Sequence, residues 1–474
     1  MNHRARFVGI TLTISIAVLV AAVGLAAKRG RVPRNVFRTE RAMPKVGNPG
    51  DETVEAMNAA AEYAQARLAP GLVAPGAYGA AFAALYSLPD VGGPWLEVTN
   101  RPYDADDPRY RDPYFSNSSG GAGFVSGRIT GLAIAGNAIY AGGADGGVFR
   151  SADGGATWTP LTDGLPTLSV GDLGLGPDGA LWLATGEGNT GATAYVGSGV
   201  YRMTDAASNV FNPGMRVGGP ELESTFIHHL RFDNAGSVYA TTSRGVWKHS
   251  ATTSAGAWTR VLAPVANATS AYDNICNDVA IQPGTEGAVV IANCAWRGGA
   301  TYNGFYVSTN AGASFTRVNP LGALNAQDVG RSQFAYSSDG SELYATVESI
   351  VRYRYTLNTS LSGVYRSASG SVAGPWTKIA DSQKLASSGS ALKLYNGYRP
   401  GVQAWYNQVI AVDPGNAAHV YVGLEEIYET HDAGTTWQTT GPYWNFEFAC
   451  WSIFDNANTC SSTPHSDQHV ITFG

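Results

Sequence analysis

The sequence predicts an all-β fold, a seven-bladed β-propeller with its last blade truncated, and three observations predict it. Seven segments share a small or polar lead-in, an alternating apolar strand and a turn, and they recur every 40 to 75 residues or so, about the period of propeller blades. One turn phrase repeats after a short strand: Ser151-Ala152-Asp153-Gly154-Gly155-Ala156-Thr157-Trp158 returns as Thr430-His431-Asp432-Ala433-Gly434-Thr435-Thr436-Trp437, with a weaker copy, Ser308-Thr309-Asn310-Ala311-Gly312-Ala313-Ser314-Phe315, between them. The composition, with 58 Gly, 24 Tyr and 11 Trp, suits many short strands and tight turns.

In chain order, Arg4 and Arg6 precede an uncharged run over 7–27, and Lys28, Arg29, Arg31 and Arg34 follow it. Gly24 and Ala26 fit a cleaved signal peptide over 1–27, and a run of about 20 residues also fits an uncleaved signal anchor. Residues 28–50, basic and rich in Pro and Gly, read as a tether. Residues 51–90 form a short helical region. Val54, Met57, Ala61, Ala64 and Leu68 recur at helical steps, so a helix capped by Asp51 is expected to run to about Arg67, ahead of Pro70. A second, Ala-rich helix is expected over 76–88.

The propeller takes 91–474. Its seven first strands begin at Thr130, Gly171, His228, Asn277, Ser332, Gln408 and His469. Second strands follow in the first six, and in all of these but the second a third strand leads into the turn phrase or a decayed form of it. In that phrase Asp or Asn supplies an acceptor and Gly the positive φ of a tight turn, while the Trp is expected to bury its ring against the neighbouring sheet. The seventh segment reaches Gly474 just after its first strand. An open ring would expose strand edges, so Pro94-Trp95-Leu96-Glu97-Val98 is expected to supply one closing strand, and the chain to be part of a longer protein.

Cys276 and Cys294 lie symmetrically about the turn over 283–287 and are expected to face each other across a hairpin as a disulfide. Cys450 and Cys460 would close a short loop. Neither pair has the Cys-x-x-Cys spacing of zinc or redox sites, and the pattern favours export, secreted or in the cell envelope. A net charge of −6 without a basic stripe argues against nucleic acid as a partner. Membrane contact is expected only through the N-terminal segment.

The turn phrase resembles the Asp-box, or BNR repeat, of sialidases, sortilin-type propellers and xyloglucanase-type glycoside hydrolases. In those families the box lies on the rim, which implies an architectural role for Asp153 and Asp432. Ser126-Gly127-Arg128-Ile129-Thr130-Gly131-Leu132-Ala133-Ile134 and its continuation to the first box look like the opening blade of bacterial exported BNR-repeat proteins, many of them labelled glycosyl hydrolases. Thr185-Gly186-Glu187-Gly188-Asn189 and Pro464-His465-Ser466-Asp467-Gln468-His469 also look like phrases of that group. The resemblance implies a carbohydrate-active, glycoside-hydrolase-like protein acting on an extracellular polysaccharide or glycan. The rival class is a non-catalytic, sortilin-like binding or scaffold propeller for peptides or glycans. Sialidase activity is disfavoured, because Tyr398-Arg399-Pro400, the nearest match to that family's Arg-Ile-Pro phrase, falls in the wrong blade.

A propeller binds ligands at its channel mouth, where the residues at and just before each first strand converge. Arg128, His228, Asn277, Gln408, His465, His469 and Trp405 are the expected binding residues there, and Arg128 is expected to pair with Asp467. Glycoside hydrolysis needs two carboxyl groups. Asp145, Glu187, Asp278, Glu425 and Asp467 fall near the mouth, with Asp145, Glu187 and Asp467 the catalytic candidates. Asp145-Gly146-Gly147 is similar to the Asp before a Gly-Gly strand start in xyloglucanase-type enzymes, displaced by one residue. His465, Asp467 and His469 alternate onto one face and are able to hold a divalent cation; a hydrogen-bonded polar stripe is the plainer role. No other cofactor is expected. Trp405, Tyr406, Tyr443, Trp444 and Trp451 are suited to stacking on sugar rings or to packing between blades.

Overall fold

A computed structural model describes residues 76–85, 87–89, 103–104, 124–125, 127–189, 194–207, 209–355, 358–392, 399–442 and 467–474. Among them stand six four-stranded antiparallel sheets, each built from four consecutive strands, and one two-stranded ladder joining Tyr103–Asp104 to Phe124–Val125. Blade 1 opens on Ile129–Ala135, blade 2 on Val170–Leu175, blade 3 on Ile227–Phe232, blade 4 on Cys276–Ile281, blade 5 on Ser332–Tyr336 and blade 6 on Val409–Asp413. Each opening strand lies beside that of the next blade, as inner strands of a propeller do.

Among the described residues six blades stand where seven, the last truncated, were expected. The segment His469-Val470-Ile471-Thr472-Phe473 carries no strand ladder, because no hairpin partner for it lies among the described residues. It bridges the ring ends instead: Gln468 N–H donates to Leu424 O at 2.7 Å, Phe473 packs on Tyr421 of blade 6, and Gly474 lies against Ile134 of blade 1.

The core lies between blades. Leu173 and Leu183 of blade 2 meet Ala133 and Val148 of blade 1, and Phe334, Leu343 and Trp376 of blade 5 meet Ile291 and Phe305 of blade 4. Each fully buried aliphatic or aromatic side chain stabilises this stack by roughly 1.5–3 kcal/mol.

The three turn copies make matching hydrogen bonds. Asp153 accepts from Thr157 N–H at 2.9 Å and its hydroxyl at 2.6 Å, Asp432 does the same with Thr436 at 2.8 and 2.7 Å, and Asn310 accepts from Ser314 N–H at 3.0 Å. Donors from Thr436 and then Thr430 hold the Asp432 carboxyl at a pKa of about 2. The sign follows from linkage: this depressed carboxyl stabilises the fold above the unfolded value of about 3.9 and loses that effect as pH falls through about 2. Asp432→Asn is therefore expected to flatten the acid limb of a pH–stability curve followed by tryptophan fluorescence.

The turn aromatics follow the blade order. Trp376 is buried with blade 4 residues, and Trp437 donates to Ile379 O of blade 5. Trp158 departs from the expected burial at 43% exposed, because a blade 1 turn packs against the preceding sheet and none stands there among the described residues.

Cys276 and Cys294 form the expected disulfide, directly opposite each other in the first hairpin of blade 4. It closes a loop with a sequence separation of 18. Cys276→Ala with Cys294→Ala is expected to lower the unfolding free energy by about 3 kcal/mol, measured by urea denaturation.

The helix Ala77–Leu85 matches the second expected helix. The first helix, the run over 7–27, the Pro94–Val98 strand and the Cys450/Cys460 pair lie outside the described residues. No described helix is long and apolar enough to cross a membrane.

Candidate functional site at the channel mouth

Four of the seven ring positions are β-bulge residues. The ladder of each first hairpin skips at Thr130, Gly171, His228 and Asn277 while their neighbours stay paired. A bulge kinks the strand and re-aims one side chain, a device common beside binding sites. Two of the four re-aimed groups bond to protein. Thr130 donates to Val170 O at 2.6 Å, and Asn277 donates to Ala295 O at 2.9 Å and Asn293 Oδ1 at 3.0 Å. Gln408 donates to Arg331 O at 3.2 Å. Gly171 is a close approach, since a Cβ there would meet Ile227 O at 1.8 Å.

Two ring histidines are buried without hydrogen-bond partners, His228 in blade 3 and His469 at the ring end. Burial first, then nearby arginines, holds both well below the usual imidazole range, so both are neutral at pH 7. His228 lies against Gly188, where any Cβ would strike the imidazole, and His469 meets the Tyr406 ring edge-on at 4.8 Å. His465 lies outside the described residues.

The carboxylate candidates separate by position. Asp278 is structural: it accepts from Val279 N–H at 2.9 Å and from Phe334 N–H of blade 5 at 2.7 Å, which staples two blades. Glu425 is buried and accepts from Gly401 N–H at 2.8 Å and Gln403 N–H at 2.6 Å. Burial outweighs those donors and pushes its carboxyl up to about 8.

Asp145, Glu187 and Arg128 come together. Glu187 is fully buried and lies 3.3 Å from the Arg128 guanidinium, which also donates to the Tyr406 hydroxyl. Burial opposes the Arg128 charge, but Glu187 and Tyr406 outweigh it and raise its pKa. Arg128 thus engages Glu187, not Asp467 as expected. Asp467, in positive-φ backbone, accepts instead from Asn407 Nδ2 at 2.8 Å. Asp145 occupies an exposed turn, and its carboxyl is raised, first by partial burial and then by the charge of Glu187, against Arg128.

Beside them lies a charged group that strand spacing passed over. Arg331 reaches across the channel from blade 5 to donate to Asn189 Oδ1 of blade 2, and its backbone N–H donates to Glu348 Oε2 at 2.7 Å. Burial, opposed mainly by Glu187 and Glu348, lowers Arg331 to about 10, so it stays charged at pH 7. Glu348 is pushed up to about 8 by burial. Glu187, Glu348 and Glu425 all stand within two residues of the end of a second strand, and that placement was the available signal for Glu348.

Trp405 is 9% exposed, with the Arg297 guanidinium 4.6 Å from its ring centre. Packing is therefore its role here. Trp405, Trp296, Arg297, Arg331, Asn277 and Gly188 line a cavity of about 20 Å³, enough for a single water. Tyr443, Trp444 and Trp451 lie outside the described residues.

No family model and no curated protein matches the chain. Among solved structures it is similar to the GH74 enzyme of Niastella koreensis, at 19% identity and a TM-score of 0.45, over 66% of this chain and 45% of that one. It is similar also to the GH74 xyloglucanase of Xanthomonas campestris, at 18% identity and a TM-score of 0.46, over 68% of this chain and 46% of that one. YCF48 from Cyanidioschyzon merolae matches at 14% identity and a TM-score of 0.40, over 66% of this chain and 84% of that one. The chain spans less than half the length of the two GH74 enzymes, and likenesses this distant leave its chemistry to its own residues.

Proposed function

We propose that this protein is an exported, carbohydrate-active propeller, glycoside-hydrolase-like, that works on extracellular glycans at the channel mouth. The observation that carries the reading is Asp145, an exposed carboxyl held toward its protonated form by partial burial and by Glu187. A general acid for glycosidic cleavage needs its pKa moved in that direction. Asp145 passes its proton to the leaving oxygen as the C–O bond breaks, and Asp467 takes a proton from the attacking water. Glu187 and Arg128 are positioning residues: their ion pair fixes the charge that Asp145 faces. The Cys276–Cys294 disulfide supports an oxidising, extracytoplasmic location, and the recurring turns, taken as Asp-boxes, belong to the rim.

The test is reducing-sugar release by the purified full-length protein from β-glucans, xyloglucan and sialylated glycans. Release that is lost in both Asp145→Ala and Asp467→Ala is the expected result. Release untouched by both changes, or no release at all alongside retained glycan binding, would overturn the catalytic reading and leave a non-catalytic binding propeller.

A further inference from the structure

The outer part of blade 6 carries a cluster that the channel mouth does not use. His419 stands on the strand Asn416–Gly423, and Glu429 on the neighbouring strand Ile427–Thr430, with His431 just beyond its end. One ligand atom from each lies within 4.8 Å of the other two. We propose that His419, Glu429 and His431 form a zinc site.

Distances come first. Ligands held tetrahedrally at about 2.0–2.1 Å from Zn²⁺ stand about 3.3–3.4 Å apart. His419 Nε2 lies 3.6 Å from Glu429 Oε2, and His431 Nε2 lies 3.2 Å from Glu429 Oε1. These two distances run to the two different oxygens of Glu429, and with one atom from each residue the three lie within 4.8 Å, so closing on a metal takes shifts of about 1 Å.

Orientation comes second. His419 Nδ1 lies 3.0 Å from Asp413 Oδ2, so the carboxylate holds the proton on Nδ1 and leaves the Nε2 lone pair toward the cluster. Nε2 is buried and has no hydrogen-bond partner. A carboxylate behind a histidine is the usual outer support of a zinc ligand.

Charge comes third. In four other blades the aromatic residue on the second strand faces a cation on the third: Tyr140 faces Arg150, Trp182 faces Arg202, Tyr239 faces Lys248 and Tyr344 faces Arg366. Blade 4 places Ile291 opposite Val307. In blade 6 Tyr421 faces Glu429 instead, and two imidazoles flank that carboxylate. A dication supplies the positive charge that the other blades draw from Arg or Lys. Two imidazole nitrogens and one carboxylate suit Zn²⁺ better than Mg²⁺ or Ca²⁺, which prefer all-oxygen ligand sets. The exposed edge of His431 leaves the fourth position to water.

Calorimetric titration of Zn²⁺ into the chelator-treated full chain tests this, with Co²⁺ absorption reporting four-coordinate geometry. One Zn²⁺ per chain is expected, weakened at least 10-fold in His431→Ala and in Glu429→Gln, and about 10-fold in Asp413→Asn. His431 is exposed, so its variant is expected to fold, and near-ultraviolet circular dichroism checks that. Absence of Zn²⁺ binding, or binding of unchanged strength in folded His431→Ala, would overturn the site and leave a metal-free His–Glu–His group.

Discussion

Arg331→Met should lower the unfolding free energy by about 3–5 kcal/mol, the range seen when one member of a buried charge group is removed. Arg331 is 4% exposed, and its guanidinium crosses the channel from blade 5 to Asn189 of blade 2. Among the groups that hold its charge are Glu187, Glu348 and Asp278, all buried. Met fills much of the volume but removes the cation these carboxyls share; Glu187 keeps Arg128, Asp278 keeps Arg231 at 3.7 Å and Glu348 keeps the field of Arg297. Lys keeps the charge yet lacks the planar fork, so Arg331→Lys should fall between wild type and Met. Adding Glu348→Gln to Arg331→Met should recover part of the loss above about pH 8, where Glu348 would otherwise ionise without that cation. Urea unfolding with a fixed m-value measures all three. A loss below about 1 kcal/mol in Arg331→Met would mean that water, not protein, satisfies the channel charges.

How far the sequence carried the structure follows from the kind of signal each part leaves. Blade order was legible, because the alternating strands and the turn phrase are local patterns. The Cys276–Cys294 bridge was legible as well, since symmetry about one turn fixes which residues face each other. Blade count was not, because a segment such as 469–473 reads as a strand whether or not a partner pairs with it. The site was half legible. Equivalent spacing located Thr130, Gly171, His228 and Asn277 at the channel, but the bulges at those positions break strict alternation, so side-chain direction did not follow from counting. Asp278 looked like a mouth carboxylate and is a staple, because its partner is a backbone N–H of another blade. Arg331 stood one residue before its lead-in and went unread, and the contact it makes with Asn189 spans three blades of sequence.

The second large effect is on pH. Glu348 and Glu425 are both buried and both pushed by burial from 4.5 to about 8. Between those values the folded chain keeps protons that the unfolded chain has released. The stability these two groups contribute is therefore full below about pH 4.5 and is lost as pH rises through about 8. The two differ in what an amide would do. Glu348 Oε2 accepts from Arg331 N–H, while Oε1 has no hydrogen-bond partner, so Glu348→Gln keeps the acceptor and places its NH₂ where a proton already sits. That variant should lose its share of the pH dependence at little cost near pH 5. Both oxygens of Glu425 accept backbone N–H groups, so Glu425→Gln sets a donor against a donor and should destabilise at every pH while also flattening the slope. Urea midpoints from pH 5 to pH 9 separate these outcomes. A slope that Glu348→Gln leaves unchanged would mean that Glu348 is ionised at pH 7 and paired with Arg331, and the Glu348→Gln rescue of Arg331→Met should then be at its largest, because the second change removes a full buried charge.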